Sequence, residues 1–264
     1  MCRSLTLMNL DYERDGLLLI RQFLSAGELS EVERELRTYT ETIVPTLPAS
    51  DIVYEGNGKS IRNLWRMEKY SPYFDSLSRT PRIVELIGEL VHGQPVVCAV
   101  ELFAKPPRVG SAVPIHQDNG YFNLDPPDAL TLWIALDEST EENGCVRYAR
   151  GSHRGGLLPH KASLVPGNSW GLAKPPEAST LDEVKGLLAP GDAMIHNCCT
   201  LHWSLPNLTD RARRGLLVVC KAAHCEVDRT GMDAYLAALH AQQKANEKNG
   251  FARTETPYGQ KTGT

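Results

Sequence analysis

VVCAVELF, residues 96–103, is the first of several short runs rich in apolar, β-branched and aromatic residues in the second part of the chain. Such runs, separated by Pro, Gly, Asn and Asp, are typical of β-strands. Further runs of this kind are found at residues 130–136, 146–148, 194–195 and 216–220. This part of the sequence therefore predicts an antiparallel structure built from short strands.

The first third of the chain carries helical patterns instead. Ser25 and Glu28 form the capping-box pattern that begins a helix. Apolar residues then recur at helical spacing over residues 26–43, until Pro45 ends the element. A Thr-Pro pair begins a second predicted helix at residues 80–93. Helices followed by strands predict an α+β fold, mainly β, in which an antiparallel double-sheet barrel carries N-terminal helices packed on one sheet.

The whole chain, residues 1–264, is predicted to form a single domain. Its helical N-terminal part covers about residues 1–95, the barrel core about 96–224, and a C-terminal helix and tail 225–264. Within the last part, an amphipathic helix is predicted at residues 232–248, followed by a dozen polar residues. Residues 154–183 are rich in Pro, Gly, Ser and Lys and show little periodicity. A loop of this length is either an active-site lid or a surface excursion.

The composition excludes several classes of protein. At 264 residues with 42% hydrophobic content, the chain can bury one large core, and its net charge of −4 gives no broad basic field for nucleic acid. No apolar run is long enough to cross a bilayer or to form a signal-peptide core. Seven cysteines, an odd number, predict reduced thiols rather than disulfides or a zinc site. We therefore expect a cytoplasmic monomer or homodimer that acts on a small molecule.

The strongest candidate site begins with His116-Gln117-Asp118, and a second histidine follows at a distance. Two imidazoles and one carboxylate form the facial triad, which holds Fe(II) on one face and leaves the other open for substrate and O2. A strand histidine that is hydrogen-bonded to a loop aspartate would also explain His116 and Asp118. On a strand, both side chains would project from the same face. A Pro-Gly-Asp turn at residues 190–192 begins an apolar run that could deliver either His196 or His202 to the same pocket.

Arg213 lies eleven residues beyond His202. A guanidinium suits forked pairing with the carboxylate of an organic acid co-substrate. Arg214 projects to the opposite face of a strand and is expected to be solvated. The iron ligand set and this arginine together predict a 2-oxoglutarate-dependent oxygenase.

These motifs resemble the phytanoyl-CoA dioxygenase family of Fe(II)/2-oxoglutarate enzymes, from about residue 51 to residue 224. The matching pieces occur in the order of the family. They are KPP at 105–107, HQD at 116–118, LWIALD at 132–137, ENGC at 142–145, GSH at 151–153, PGD at 190–192 and HWSLPN at 202–207, leading to Arg213-Arg214. One departure is Arg150, which stands where the family usually has Pro before Gly-Ser-His. It is expected to alter a loop near the entrance and to leave the metal ligands unchanged.

The resemblance implies a double-stranded β-helix, the jelly-roll fold of cupins. It also implies Fe(II), 2-oxoglutarate and O2, with ascorbate helping to maintain Fe(II). The distal histidine of the family precedes a Ser-x-Pro-Asn turn, as His202 does. His116, Asp118 and His202 are therefore the expected metal ligands and catalytic residues, which leaves His196 a core or supporting role. The implied co-substrate contacts are Arg213, Ser204, Trp133, Gln117 and Lys69.

The implied reaction converts 2-oxoglutarate into succinate and CO2 while an unactivated C–H bond of the substrate is oxidised. Related halogenases have a small residue in place of the carboxylate ligand, which opens a position for halide. Because Asp118 is present, hydroxylation is predicted, with desaturation, ring closure and epimerisation as open alternatives.

The candidate substrate contacts are polar and aromatic residues close to the motifs. They are Glu101, Lys105, Arg108, Asn119, Tyr121, Asn123, His160 and Trp170. Only Lys105 and Arg108 form a basic pair, and the phosphates of CoA would need a larger basic rim. A small polar or natural-product metabolite is therefore predicted rather than an acyl-CoA. A catalytically silent barrel that binds a small ligand and a zinc hydrolase with the same three ligands are the remaining alternatives.

Overall fold

A computed structural model of the protein describes residues 11–248. Its strands, in chain order, are β1 (Leu17–Ile20), β2 (Ile52–Tyr54), β3 (Ile61–Leu64), β4 (Pro95–Lys105), β5 (Val113–His116), β6 (Leu124–Asp125), β7 (Ala129–Ala135), β8 (Val146–Ala149), β9 (His160–Val165), β10 (Asn168–Leu172), β11 (Glu183–Lys185), β12 (Ala193–Asn197), β13 (His202–Ser204), β14 (Arg213–Ala222) and β15 (Glu226–Val227). Its α-helices are α1 (Ala26–Thr42), α2 (Pro72–Ser78), α3 (Pro81–Gly88), α4 (Asn119–Phe122) and α5 (Arg229–Lys248).

Two antiparallel sheets form the centre of the molecule. The large sheet has the order β1-β12-β7-β14-β4-β3-β2, and the small sheet has the order β11-β8-β13-β5. Two further pairs, β9 with β10 and β6 with β15, form two-stranded sheets. Neighbours in each sheet are mostly far apart in sequence, so that the two sheets are joined by chain segments that pass repeatedly from one to the other.

The pleat of β4 explains why residues 96–103 carry both core and site residues. Val100 and Leu102 belong to the main hydrophobic core, together with Val32 of α1 and Ile83 of α3. Because successive side chains of a strand point to opposite faces, Glu101, which lies between Val100 and Leu102, points to the face opposite the core. The N-terminal helices therefore pack on one face of the large sheet, which leaves its other face free to line a cavity.

The helix predicted at 26–43 is confirmed as α1, which begins at Ala26 and ends at Thr42, one residue before the predicted end. Its capping box is complete, because Glu28 N–H donates to the Ser25 hydroxyl and the Glu28 carboxylate accepts from Ser25 N–H. The second predicted helix is confirmed as α3, although it ends at Gly88 rather than near residue 93.

The prediction of a mostly helical N-terminal part was wrong at three places. Strands β1, β2 and β3 lie in it and join the large sheet, where β1 pairs with β12 and β3 pairs with β4. Each has only three or four residues, which is too short to show a clear period of two. Helix α2 was also not predicted.

Residues 154–183 are not a structureless loop. They contain the hairpin of β9 and β10, whose pairing is irregular between Asn168 and Trp170, and this irregularity hides the alternation expected of strands. The C-terminal helix α5 is present and begins three residues before its predicted start. The polar tail predicted after it lies outside the described residues. Among residues 11–248, no helix is both long and apolar enough to cross a membrane.

Candidate active site

A cavity lies between the inner faces of the two sheets. Strands β4, β7, β12 and β14 of the large sheet line it, as do β5, β8 and β13 of the small sheet. Gly167 and Asn168, at the turn of the β9–β10 hairpin, also line it. This hairpin lies within residues 154–183, which were predicted to be either an active-site lid or a surface excursion.

His116 and His202 are direct cross-strand partners on β5 and β13, and their ring centroids are 4.1 Å apart. The Nδ1 atoms lie 2.8 Å from Pro114 O and 3.0 Å from Thr200 O, respectively. Because a carbonyl oxygen can only accept, each Nδ1 carries the proton and each Nε2 keeps a free lone pair. Burial lowers the pKa of both histidines, so they are neutral, as metal binding requires.

Asp118 completes this group, but not by strand alternation as predicted. Strand β5 ends at His116, and Asp118 has helical backbone angles, φ −60° and ψ −35°, immediately before α4. This turn brings Asp118 Oδ1 to 3.4 Å from His202 Nε2 and 3.8 Å from His116 Nε2. Burial acts to raise the pKa of Asp118, but the surrounding imidazoles, with His202 first, outweigh it and hold the pKa well below its usual value.

One potential ligand atom from each of His116, Asp118 and His202 lies within 4.8 Å of the others. Among the described residues, no other group of three His, Cys, Asp or Glu side chains meets this condition. Two neutral imidazole nitrogens and one carboxylate oxygen are a donor set that fits Fe(II). The predicted His-Asp-His metal site is thus present, and the buried cysteines form no competing zinc site within residues 11–248.

Arg213, on β14 of the large sheet, lines the same cavity. It is only 3% exposed, and its Nε and Nη2 donate to Gly144 O at 3.2 and 2.8 Å. Burial lowers its pKa to about 10, so the guanidinium stays charged at neutral pH. No carboxylate among the described residues forms an ion pair with it. A buried cation without a counter-charge is costly, and an anionic ligand would supply that charge.

Trp133 and Ser204 line the same cavity as Arg213. The Arg213 guanidinium is 5.4 Å from the centroid of the Trp133 ring, a cation–π distance. Gly215 allows the indole to lie against β14, because a Cβ at this position would overlap the ring. The predicted contacts Arg213, Trp133 and Ser204 thus all line the same cavity, in which Arg213 lies over the Trp133 ring.

A family model described as phytanoyl-CoA dioxygenase matches residues 12–215 of the chain. This match spans far more than half of the sequence, and it includes all three residues of the metal site and Arg213. The chain belongs to the phytanoyl-CoA dioxygenase family. The predicted family is therefore confirmed, and this family member is a 2-oxoglutarate-dependent non-haem iron dioxygenase.

Individual relatives agree with this assignment. A protein of Stutzerimonas stutzeri described as a probable alpha-ketoglutarate-dependent hypophosphite dioxygenase is 28% identical over 221 residues, covering 81% of this chain and 77% of the relative. The crystal structure of the epimerase SnoN with Fe3+, alpha-ketoglutarate and nogalamycin RO has a TM-score of 0.70 and 25% identity, with 88% of each chain covered.

The fold is shared more widely still. The structure of EctD from S. alaskensis with 2-oxoglutarate and 5-hydroxyectoine has a TM-score of 0.70 at 22% identity, covering 81% of this chain and 74% of that one. These enzymes have the cupin-like jelly-roll fold, and the family member described here shares its antiparallel sheet-rich architecture.

Of the other predicted site residues, Glu101 and Tyr121 line the cavity. The Tyr121 hydroxyl donates to Trp170 O at 2.8 Å, and its ring stands edge-on to His116. Trp170 itself, predicted to face the pocket, does not line it and packs its ring against Tyr235 of α5. The Tyr121 hydrogen bond thus joins the cavity wall to the β9–β10 hairpin.

Gln117 and Lys69, expected as co-substrate contacts, do not line the cavity. Gln117 points away from it, because its amide donates to Gly156 O and Cys199 O while its Oε1 accepts from Leu158 N. Lys69 is exposed at the end of the 3-10 helix Met67–Lys69. In this structure Gln117 links the chain after β8 to the site.

His160 and Asn119 were expected to contact substrate and have local structural roles instead. His160 Nε2 accepts from the backbone N–H of Gln117 at 3.1 Å, and burial lowers the pKa of His160 to about 4. The Asn119 carboxamide makes two hydrogen bonds with the backbone of Leu124. Asn123 likewise donates to main-chain oxygens of α4.

The basic pair Lys105 and Arg108 also lies elsewhere than predicted. Arg108 is exposed and forms a forked ion pair with Asp210 at 2.6 Å. Lys105 is the cross-strand partner of Arg213 and is buried, and its Nζ donates to Ser111 O. Burial, followed by the charge of Arg213, lowers the pKa of Lys105 to about 6.

Arg214 was expected to be solvated, and this was wrong. Its guanidinium forms forked ion pairs with Asp137 and with Glu33 of α1, at 2.7 to 3.0 Å. The opposite face of β14 therefore carries a link between the large sheet and the first helix. Arg213 and Arg214 are adjacent in sequence, yet one faces the cavity and the other fixes α1.

Several cavity residues were missed from the sequence. Thr131 could have been found, because it lies two residues before Trp133 on a predicted strand and so shares its face. Trp65 follows β3, in the part predicted to be helical, and no sequence signal identified it. Asn168 lies in the hairpin that the sequence did not reveal, where its Oδ1 accepts from Arg62 at 2.7 Å.

Proposed function

We propose that this dioxygenase hydroxylates an unactivated C–H bond of a small polar metabolite, with succinate and CO2 as co-products. The observation that carries the proposal is the pairing, in one cavity, of the His-Asp-His group with the buried guanidinium of Arg213. We further propose that the two sheets close into a double-stranded β-helix around this cavity.

In this proposal His116, Asp118 and His202 hold Fe(II), which when bound supplies the redox chemistry that couples oxidation of 2-oxoglutarate to oxidation of the substrate. Arg213 binds the far carboxylate of 2-oxoglutarate through its forked N–H groups, and the Ser204 hydroxyl donates to the same carboxylate. The Trp133 indole covers this end of the cavity and keeps water away from the reacting groups.

Unpaired polar groups beside the cavity favour a polar substrate. Asn63 is fully buried, and neither end of its carboxamide has a hydrogen-bond partner among the described residues. The indole N–H of Trp65, which lines the cavity, is also unpaired within the described part of the chain. Each unmade hydrogen bond at a buried polar group costs about 1–3 kcal/mol. A substrate carbonyl or hydroxyl oxygen beside the Trp65 indole would remove part of this cost.

The arrangement of charges disfavours two other substrate classes. Lys105 is buried and Arg108 is paired with Asp210, so this pair does not form a basic rim for the phosphates of an acyl-CoA. Glu101 lines the cavity, so an inorganic anion such as the hypophosphite named for the S. stutzeri relative would meet an acidic side chain. A neutral or cationic organic molecule with hydrogen-bonding groups fits the cavity better.

The test is turnover by the intact protein loaded with Fe(II). We expect slow, substrate-free conversion of 2-oxoglutarate into succinate, and faster conversion when a metabolite library supplies the substrate. Mass spectrometry of the product formed under 18O2 with excess bromide should show one labelled oxygen. A brominated product would overturn the hydroxylase proposal, because Asp118 should close the halide position. Iron-loaded protein that never converts 2-oxoglutarate would overturn the proposed site roles.

A further inference from the structure

The two oxygens of Asp118 have different surroundings. Oδ1 faces the Nε2 atoms of His116 and His202. Oδ2 accepts two hydrogen bonds, from the Thr131 hydroxyl at 2.7 Å and from His196 Nε2 at 3.0 Å. One oxygen is therefore directed at the metal site, while the other is engaged by protein donors.

Thr131 and His196 are built into the large sheet as a pair. They are direct cross-strand partners on β7 and β12, and both are buried, at 1% and 2% exposure. The Asp118 turn belongs to the connection after β5 of the small sheet. These hydrogen bonds thus join the carboxylate on one sheet to two donors that the other sheet holds in register.

The hydrogen-bonding state of His196 follows from the same contacts. A carboxylate can only accept, so His196 Nε2 carries the proton. Its Nδ1 has no hydrogen-bond partner among the described residues. The contact with Asp118 is therefore the hydrogen bond that satisfies this buried ring, which argues for a role directed at the carboxylate rather than at packing alone.

We propose that Thr131 and His196 are positioning residues that make Asp118 a one-oxygen ligand of the iron. Engaging Oδ2 keeps it from becoming a second ligand oxygen. If both oxygens of Asp118 bound Fe(II), fewer positions on the metal would be open to bidentate 2-oxoglutarate and O2. The two hydrogen bonds also fix the rotamer of Asp118 at the turn before α4. This inference rests on the proposed metal-ligand roles of His116, Asp118 and His202.

The test compares isosteric variants with variants that retain the donor. Thr131→Val and His196→Leu remove the donors, whereas Thr131→Ser and His196→Gln keep one. Ser78→Ala removes a buried hydroxyl that is hydrogen-bonded to Asp75 O, away from the cavity, and serves as the control. Circular dichroism and thermal unfolding establish that each variant is folded.

Two measurements without turnover are decisive. Fe(II) affinity is measured anaerobically by competition with a chelator, and 2-oxoglutarate affinity by the visible charge-transfer band of the Fe(II)–2-oxoglutarate complex. We expect Thr131→Val and His196→Leu to weaken Fe(II) binding about 10- to 100-fold, as loss of partners that orient metal ligands does elsewhere. At saturating iron they should also bind 2-oxoglutarate more weakly and show a shifted band. Thr131→Ser, His196→Gln and Ser78→Ala should stay close to wild type.

Wild-type affinities and an unshifted band in folded Thr131→Val and His196→Leu would overturn the positioning role of Thr131 and His196 and leave the proposed function intact. Equal losses in the leucine and glutamine variants of His196 would also overturn it, because they would indicate a packing role. Wild-type protein that binds no Fe(II) would instead refute the ligand roles, and with them both proposals.

Discussion

Arg213 and Arg214 are adjacent in sequence and chemically identical, but they differ in role because only Arg214 has acidic partners among the described residues. Arg213 is buried without an acidic partner among the described residues, whereas Arg214 is forked onto Asp137 and Glu33. Burying the first guanidinium costs free energy that a bound anion would offset. The second guanidinium holds two elements together.

Replacing each arginine with lysine separates these roles. Arg213→Lys keeps the charge but loses the fork, so the apparent KM for 2-oxoglutarate should rise about 10- to 100-fold, the equivalent of one lost charge-assisted hydrogen bond. Iron binding should persist. Arg214→Lys should leave this KM nearly unchanged and lower the free energy of unfolding by about 1 kcal/mol. Steady-state kinetics and urea unfolding check both variants, and a reversed pattern would show that the strand register is wrong.

Lys105 makes stability depend on pH. Its pKa in the folded state is about 6, below the ordinary 10.5, so between these values the unfolded chain binds the additional proton. Stability from this group therefore rises with pH across that window, with a slope of up to about 1.4 kcal/mol per pH unit. Below the folded-state pKa both states are protonated and the slope disappears.

Lys105→Met should remove this slope, which urea unfolding between roughly pH 6.5 and pH 9.5, inside the window, would detect. Lys161→Met changes an exposed lysine of β9 and should retain the wild-type slope. Parallel curves for wild type and Lys105→Met would contradict the prediction.

Among the elements, the β9–β10 hairpin is part of the cavity wall. Gly167 at its turn has φ +72°, and a Cβ there would overlap the Asn63 carboxamide and meet Val53 at 3.3 Å. Tyr121, Arg62 and Tyr235 hold the hairpin through hydrogen bonds to Trp170, Asn168 and Ser169. The hairpin is therefore fixed to β3, α4 and α5, and Asn168, one of the fixed residues, also lines the cavity.

Gly167→Ala and Gly58→Ala form a pair to test this fit. Both positions have positive φ, but a Cβ at Gly58, with φ +65°, would meet nothing within 4 Å. Each variant should lose about 1–2 kcal/mol of stability from backbone strain, and Gly167→Ala should lose about 1–3 kcal/mol more from overpacking. Chemical unfolding measures the difference. Equal losses would mean that the turn does not press on β3.

Across the molecule as a whole, the site spans the two sheets. His116 and His202 lie on the small sheet, and Arg213, Thr131 and His196 lie on the large one. A metal held by the small sheet and an organic acid that reaches from this metal to Arg213 would therefore connect the two sheets. Ligand binding to the folded state alone stabilises it, by about 2.7 kcal/mol at roughly one hundred times the Kd.

Thermal unfolding under anaerobic conditions should show this in two steps. Fe(II) should raise the Tm, and 2-oxoglutarate should raise it further only when Fe(II) is present. Arg213→Ala should keep the first increment and lose the second, whereas His202→Ala should lose both. An undiminished 2-oxoglutarate increment in Arg213→Ala would show that the acid binds elsewhere.

Local signals in the sequence determined a large part of this structure. The capping box of Ser25 and Glu28, the apolar and β-branched run at residues 96–103 and the His-x-Asp pair each depend on neighbours within a few positions. A helix start, a strand and a pair of candidate ligands can therefore be predicted from them. The family motifs added the choice of His202, which the residues alone had left open against His196.

Contacts between distant segments decided the details of the site. Asp118 reaches the metal site through a turn, and its Oδ2 is held by Thr131 and His196, which become neighbours only when β7 and β12 pair. Gln117 lies inside the motif yet points away from the cavity, because the chain after β8 supplies two of its partners. No spacing within the motif indicates either of these arrangements.

Sheet register and burial decided the remaining features. Strands β1 to β3 and the β9–β10 hairpin are too short or too irregular to show a period of two, so their partners in the folded chain fix their conformation. The lack of a counter-charge at Arg213, within the part of the chain that the structure describes, depends in the same way on which side chains the two sheets bring together. Residues far apart in the sequence create such an environment jointly, and only once the chain has folded.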